Sequence, residues 1–282
     1  MLVGMNTLVI GGTGKTGSRV AQRMQALGLP VRIGSRSSHT RFDWTDATTW
    51  PAALEGIEQA YVTFQPDLGL PGAQEVVGAF AELAVSAGTR RLVLLSGRGE
   101  AGARRAEAAL RASGADWTVL RSAFFMQNFS EAEWRHEIAA GQLTMVGHRV
   151  GEPFVDADDL AEVAVATLTD PRHVGHTYEL TGPRLLTFRD VAAEIGQRTG
   201  RPIAYIELGV GEYAAHLTAA GLPAEVARGM AHLFAEVLDG RNAHLSTDIA
   251  DVLGRQPRDF ADFTATAATA WQAAALMEGT GS

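Results

Sequence analysis

The sequence predicts an α/β protein, a doubly wound parallel sheet followed by a smaller C-terminal α/β lobe. Three observations predict it. An apolar run from Met5 ends directly in Gly11-Gly12-Thr13-Gly14-Lys15-Thr16-Gly17 and a helix-like segment. Short apolar runs then alternate with helical patterns, which implies right-handed crossovers between parallel strands. Beyond about residue 125 the rhythm changes and helical patterns dominate.

The elements follow in order. Ser18 to Leu27 reads as the first helix and Val31 to Gly34 as the second strand. Ala60 to Phe64 is a buried strand running into Gln65-Pro66, and Gly72 to Ala87 a helix stopped by Gly88. Arg91 to Leu95 is an apolar strand ending at Ser96-Gly97, Ala101 to Ser113 an alanine-rich helix, and Trp117 to Leu120 the next strand. Later come a helix over Asp158 to Leu168, a strand over Tyr178 to Thr181, a helix over Phe188 to Arg198 and a strand over Ile203 to Ile206. Glu212 to Ala220, Ala224 to Leu238 and Asp259 to Leu276 read as helices. The expected division is a first domain over 1–150 and a smaller, mostly helical substrate lobe over 151–282, with some of its segments returning to the main sheet.

Three glycines spaced G-x-x-G-x-x-G between a strand and a helix suit a dinucleotide pyrophosphate. They let the backbone turn tightly and approach the ligand, and the helix start offers N–H groups and a positive dipole end. Gly14-Lys15-Thr16 also resembles the end of a triphosphate-binding P-loop. That loop needs a glycine where this chain has Val9, still inside the strand.

Composition narrows the classes. Apolar residues at 46% and charged residues at 20% fit an ordinary globular protein with a sizeable core. A formal charge of −8 argues against a nucleic-acid or membrane-surface binder. No apolar run reaches bilayer length and no secretory leader opens the chain, so a cytoplasmic location is expected. Zero cysteines exclude thiolate catalysis and Cys-ligated zinc. Lys15 is the sole lysine, and none of Tyr61, Tyr178, Tyr205 or Tyr213 has a lysine four residues on, so the Tyr-x-x-x-Lys pair of ordinary short-chain dehydrogenases is absent.

The coenzyme is read from the end of the second strand. An acidic residue there binds the ribose hydroxyls of NAD. This chain has Ser35-Arg36-Ser37-Ser38 instead, with Arg36 following Gly14 by 22 residues. A guanidinium with nearby hydroxyls matches a 2′-phosphate, so NADP(H) is favoured. Asp43 is a candidate acceptor for the adenine amino group, or a turn aspartate, and Asp46 belongs to the next turn.

With these residues in place the chain resembles the NmrA-like family, an atypical branch of the short-chain dehydrogenase/reductase superfamily. The resemblance is carried by the glycine motif, by Glu107 and Leu110-Arg111-Ala112-Ser113-Gly114, and by Trp117-Thr118-Val119-Leu120-Arg121. Further marks are Phe124-Phe125-Met126-Gln127-Asn128-Phe129, Pro153 to Ala161, and Tyr178 to Pro183. It implies a Rossmann-type coenzyme domain with a small C-terminal lobe, and either NADPH-dependent quinone or enone reductases or regulators that sense the coenzyme. By the resemblance, Gly11, Thr13, Gly14, Lys15 and Thr16 would meet the pyrophosphate. Ser35, Arg36 and Asp43 would meet the adenosine half, and Phe64, Gln65 and Pro66 the middle. Ser96, Ser122, Ala123, Phe124 and Phe125 would lie near the nicotinamide, with Gln127 and Asn128 facing the substrate. Active relatives often carry a histidine or lysine shortly before Glu107. This chain has Gly102-Ala103-Arg104-Arg105, and arginine is a poor proton donor.

No catalytic residue is identified; Ser96, Gln127 and Asn128 are weak candidates. Lacking a placed acid, the chain is expected to reduce a quinone-like or conjugated aromatic or enone molecule, whose structure spreads the incoming charge. The alternative is a non-catalytic NADP(H)-sensing regulator that binds a protein partner. A monomer or homodimer is expected, and no metal. His173 and His176 flank a turn rather than sharing a helix face, and Asp156, Asp158 and Asp159 suit a helix N-terminus better than a cation.

Overall fold

Strands buried on both faces require helices on both sides, and the layers follow from that. The computed structural model describes residues 5–131, 133–147 and 149–279. Its elements are β1 (Thr7–Ile10), α1 (Lys15–Ala26), β2 (Val31–Ser35), β3 (Thr40–Arg41), α2 (Trp50–Leu54), β4 (Gln59–Val62) and α3 (Ala73–Ser86). Next are β5 (Arg91–Gly97), α4 (Ala101–Ala112), β6 (Asp116–Ser122), α5 (Asn128–Glu131), α6 (Glu133–Ala139), β7 (Gln142–Val146) and α7 (Ala157–Thr169). Then come β8 (Thr177–Leu180), α8 (Phe188–Thr199), β9 (Ala204–Leu208), α9 (Val210–Ala219), α10 (Ala224–Val237), α11 (Asp248–Leu253) and α12 (Phe260–Gly279).

The main sheet runs β3-β2-β1-β4-β5-β6-β8, and every pairing is parallel. Leu8, Ile10, Ala60, Val62, Leu92, Leu94 and Val119 share one core with α3 and α4. The alternate positions Val9, Tyr61 and Val93 are also fully buried, so they point to the opposite face. The chain leaves β1 toward β2 and β3, then returns to place β4 on the other side of β1. That reversal opens a crevice beyond the C-terminal ends of β1 and β4, where open α/β sheets bind ligands.

Contacts group the chain into two units that no single boundary near residue 150 separates. One runs to Ser122 and adds Ala157–Leu180 and Asp248–Arg255. It therefore includes α7, β8 and α11, and β8 pairs with β6 at the sheet edge. The other consists of Ala123–Asp156, Thr181–Thr247 and the chain from Gln256 onward. It holds its own parallel pair, β7 with β9, and an aromatic core that includes Phe129, Trp134, Phe154, Phe188 and Phe260. The Trp271 indole N–H, at the heart of that core, donates to the Phe129 carbonyl at 2.6 Å. Within the described residues no helix is long and apolar enough to cross a membrane.

In the first unit α4 is fastened to the sheet by a buried carboxylate. Glu107 accepts from Ser96 Oγ (2.8 Å), Arg121 Nε (2.9 Å), Arg121 Nη2 (2.7 Å) and Arg111 Nη2 (3.2 Å). Hydrogen bonding to Glu107 raises the Arg121 pKa further above its ordinary value. Arg121 stands in register between Ser96 on β5 and Glu179 on β8, so the bonds tie neighbouring strands at one level. Glu107→Ala removes this hub while leaving both guanidiniums partly wetted. The expected cost is about 2 kcal/mol, below that of a fully buried broken pair. Urea unfolding checks it; a loss under about 0.5 kcal/mol contradicts it.

Candidate functional site

The glycine turn is built by two close approaches. Gly11 has φ +71°, and a β-carbon on it would collide with the Thr63 hydroxyl, which donates to the Ile10 carbonyl at 3.0 Å. Gly17, on the first turn of α1, lies with its Cα against the Gly11 carbonyl, where any side chain would clash. The turn closes through Gly14 N–H to the Gly11 carbonyl at 2.8 Å, and Gly11 N–H is held by Gly34 of β2 at 2.9 Å. Gly14 caps α1 without a side-chain bond, and no acidic residue occupies the first turn. The early N–H groups of a helix have no acceptor within it, so this end favours an anion. Thr13 is exposed, Lys15 half-buried and Thr16 buried. Burial pushes the Tyr61 phenol well up, with Thr16 as its neighbour, so Tyr61 serves the interior of the sheet.

The loop after β2 forms a tight hydroxyl cluster. Ser35 Oγ accepts from Ser38 N–H (2.9 Å) and Ser37 N–H (3.3 Å), while Ser38 Oγ accepts from Ser35 N–H at 2.9 Å. Arg36 projects from this loop, exposed and without a hydrogen bond or ion pair among the described residues. Arg32 is occupied elsewhere, donating to the Ala53 and Glu55 carbonyls at 3.0 and 2.6 Å, and Arg41 faces Asp46 at 3.8 Å. Asp43 closes a turn through Oδ1, accepting from Thr45 N–H (3.0 Å) and Thr45 Oγ (2.8 Å). Those bonds hold its carboxyl below the usual range. Its Oδ2 has no hydrogen bond among the described residues, so the turn and a ligand contact are compatible. Asp46 accepts from Thr48 N–H at 3.2 Å, the turn role expected of it.

The exit of β4 carries an aromatic edge. Phe64 is half-buried, 5.1 Å between ring centroids from Trp44, whose indole N–H donates to the Thr63 carbonyl at 2.8 Å. Gln65 and Pro66 are exposed. Ser96 is 4% exposed and its hydroxyl proton goes to Glu107. Ser122 is buried, with its carbonyl accepting from Arg98 N–H at 3.2 Å. Arg98, whose side chain is 2% exposed, pairs with Glu179 at 3.1 Å. Sequence reasoning did not single out Arg98, Glu179 or Trp44; the row of polar residues at matching strand ends was the available signal.

The remaining candidates fall in the second unit. Ala123 is buried and Phe124 and Phe125 half-buried. Phe124 packs among Phe188, Phe234, Phe154 and Trp134, while Phe129 is fully buried. Gln127 is 3% exposed and its amide donates to Asp156 Oδ1 at 3.0 Å; Asn128, half-buried, opens α5. Arg104 and Arg105 are exposed. The acidic residues that open α7 are ion-pair partners: Asp158 meets Arg23 at 2.6 Å, and Asp159 meets Arg255 at 2.6 Å. Asp158 lies within the first turn of α7, and Asp156 directly precedes the helix. His173 Nδ1 is 2.7 Å from Tyr178 Oη. No group of ligating side chains suited to a metal occurs among the described residues.

The fold agrees with that of similar solved proteins. The NmrA-like family model matches residues 104–263, and the chain belongs to that family. An uncharacterized oxidoreductase, YesF, of Bacillus subtilis is 33% identical over 94% of this chain and 96% of its own length. Agroclavine dehydrogenase of Claviceps fusiformis is 34% identical over 95% of this chain and 99% of its own. A solved NADPH-dependent quinone oxidoreductase of Escherichia coli, complexed with NADPH, superposes with TM-score 0.74 at 20% identity, covering 92% of this chain and 99% of that one.

Gly17→Ala tests the close approach. The added methyl meets the Gly11 carbonyl, a strain of about 1–3 kcal/mol that outweighs alanine's helix preference of about 1 kcal/mol. A net loss of about 1 kcal/mol in urea unfolding is expected. A stabilised variant would contradict the geometry.

Proposed function

We propose that the chain is an NADPH-dependent oxidoreductase that reduces a quinone-like or conjugated aromatic or enone small molecule. The glycine turn carries this reading: it packs so closely that a β-carbon on Gly11 would strike the Thr63 hydroxyl and one on Gly17 the Gly11 carbonyl, and it leads into a helix with no side-chain cap and no acidic residue in its first turn. Those residues fit a pyrophosphate. Similarity to an agroclavine dehydrogenase and to an NADPH-bound quinone oxidoreductase supports the coenzyme and the reaction class.

The bound coenzyme supplies a hydride. The first-turn N–H groups of α1 would hold its pyrophosphate, with the glycine turn from Gly11 leading into that helix end. Exposed Arg36, with the Ser35 and Ser37 hydroxyls beside it, would hold the 2′-phosphate, and Asp43 Oδ2 would take the adenine amino group. Phe64, Gln65 and Pro66 border the middle of the dinucleotide. An acceptor that delocalises negative charge suits a chain whose candidate side chains are already engaged, Ser96 by Glu107 in the first unit and Gln127 by Asp156 in the second. The same engagement favours the second reading, a coenzyme-sensing regulator without turnover, and a panel of acceptors separates the two.

Arg36→Ala is expected to raise the Michaelis constant for NADPH by about 10- to 100-fold, the value of one or two charge-assisted hydrogen bonds, and to leave that for NADH unchanged. Steady-state rates with menadione as acceptor provide the check. Equal effects on the two coenzymes would place the 2′-phosphate elsewhere.

A further inference from the structure

Beneath the glycine turn lies a hydroxyl that the packing of the sheet does not explain. Tyr61 stands in β4 between Val9 of β1 and Val93 of β5, its partners in register. Both are aliphatic and fully buried, so neither side chain offers it a hydrogen bond. Tyr61 is itself 0% exposed, and its Oη has no hydrogen-bond partner among the described residues. An unmet donor inside a sheet is destabilising, and phenylalanine would fill the same space without that cost.

Side chains alternate across a strand, so Tyr61 shares its face with Thr63, two residues on. Thr63 is the residue under the turn: its hydroxyl donates to the Ile10 carbonyl at 3.0 Å and takes the space that a β-carbon on Gly11 would need. Helices α1 and α7 cover this face. The buried polar groups of α7 are engaged, Thr167 with the Ala164 carbonyl at 3.0 Å and Asp159 with Arg255 at 2.6 Å. From α1 the neighbour of the phenol is Thr16, buried in the first turn of the helix. The Thr16 hydroxyl also makes no side-chain hydrogen bond of ordinary length and angle among the described residues. Two adjacent hydroxyls with unmet donors therefore stand directly behind the helix end that favours an anion. A helical threonine has two open χ1 wells, so its hydroxyl can turn without moving the backbone.

We propose that Tyr61 is a positioning residue of the pyrophosphate site: with the coenzyme bound, Tyr61 Oη donates to Thr16 Oγ, and Thr16 donates its own proton to a pyrophosphate oxygen. This rests on the coenzyme reading above. No proton is transferred; each hydroxyl gains an acceptor, and the two bonds in series polarise one another. Burial holds the phenol in its protonated form, so it remains a donor. The free chain carries the unmet donors and the bound chain does not, so the effect of Tyr61 falls on coenzyme affinity rather than on folding.

Tyr61→Phe keeps the ring and removes the hydroxyl. By calorimetry, the dissociation constants for NADPH and NADH should rise together, about fivefold each, because both coenzymes carry the pyrophosphate. Urea unfolding of the coenzyme-free variant should show stability equal to or above that of the wild type. Thr16→Val should weaken binding at least as much, and adding Tyr61→Phe to it should weaken binding no further. Thr16→Ser should keep wild-type affinity. Unchanged affinity in Tyr61→Phe, a loss confined to NADPH, a loss accompanied by a less stable free protein, losses that multiply in the double variant, or a Thr16→Ser variant as weak as Thr16→Val would overturn the assignment. A wild-type chain that binds neither coenzyme would instead remove the reading on which it rests.

Discussion

Gly17 lies against the Gly11 carbonyl, and the rest of the site depends on that approach. It sets the start of α1 directly over the end of β1, so the helix dipole and its first-turn N–H groups open onto the crevice. Thr63, bonded to the Ile10 carbonyl, ties the exit of β4 to the same turn. Three backbone segments thus share one edge: the glycine turn, the loop after β2 held by Gly34, and the loop after β4 held by Thr63. A side chain at either glycine would separate them.

Charge is distributed unevenly along that edge, with physical consequences. On the β5–β6–β8 side each buried charge has a partner: Glu107 with Arg121 and Arg111, Arg98 with Glu179. Such pairs hold strand ends in register rather than adding much net stability, because desolvation offsets most of the attraction. On the β2 side Arg36 is exposed and has no ion pair within bonding distance among the described residues, though its charge helps lower the Asp43 pKa; a dianionic phosphate group would meet a cation there.

The doubly wound sheet was legible because its signals are local. The apolar runs of β1, β4, β5 and β6, and the glycines that stop the intervening helices, mark their own boundaries. The return of Tyr178 to the sheet edge was expected only in outline, since nothing local says which strand it joins; register with β6 decides it. Gln142–Val146 escaped notice because its partner β9 lies some sixty residues away, and a two-stranded pair gives a weak pattern. Among site residues, the glycines and Arg36 could be read from spacing. The engagement of Ser96 by Glu107 and of Gln127 by Asp156 could not, because each depends on a side chain brought in from a distant segment.

A nicotinamide coenzyme with a 2′-phosphate, seated on the glycine turn, is the central claim. Calorimetric titration of the wild-type chain with NADPH and NADH tests it most directly. Micromolar binding of NADPH, at least about tenfold tighter than NADH, is the expected result. No heat from either coenzyme up to about millimolar concentration, or tighter binding of NADH, would contradict it.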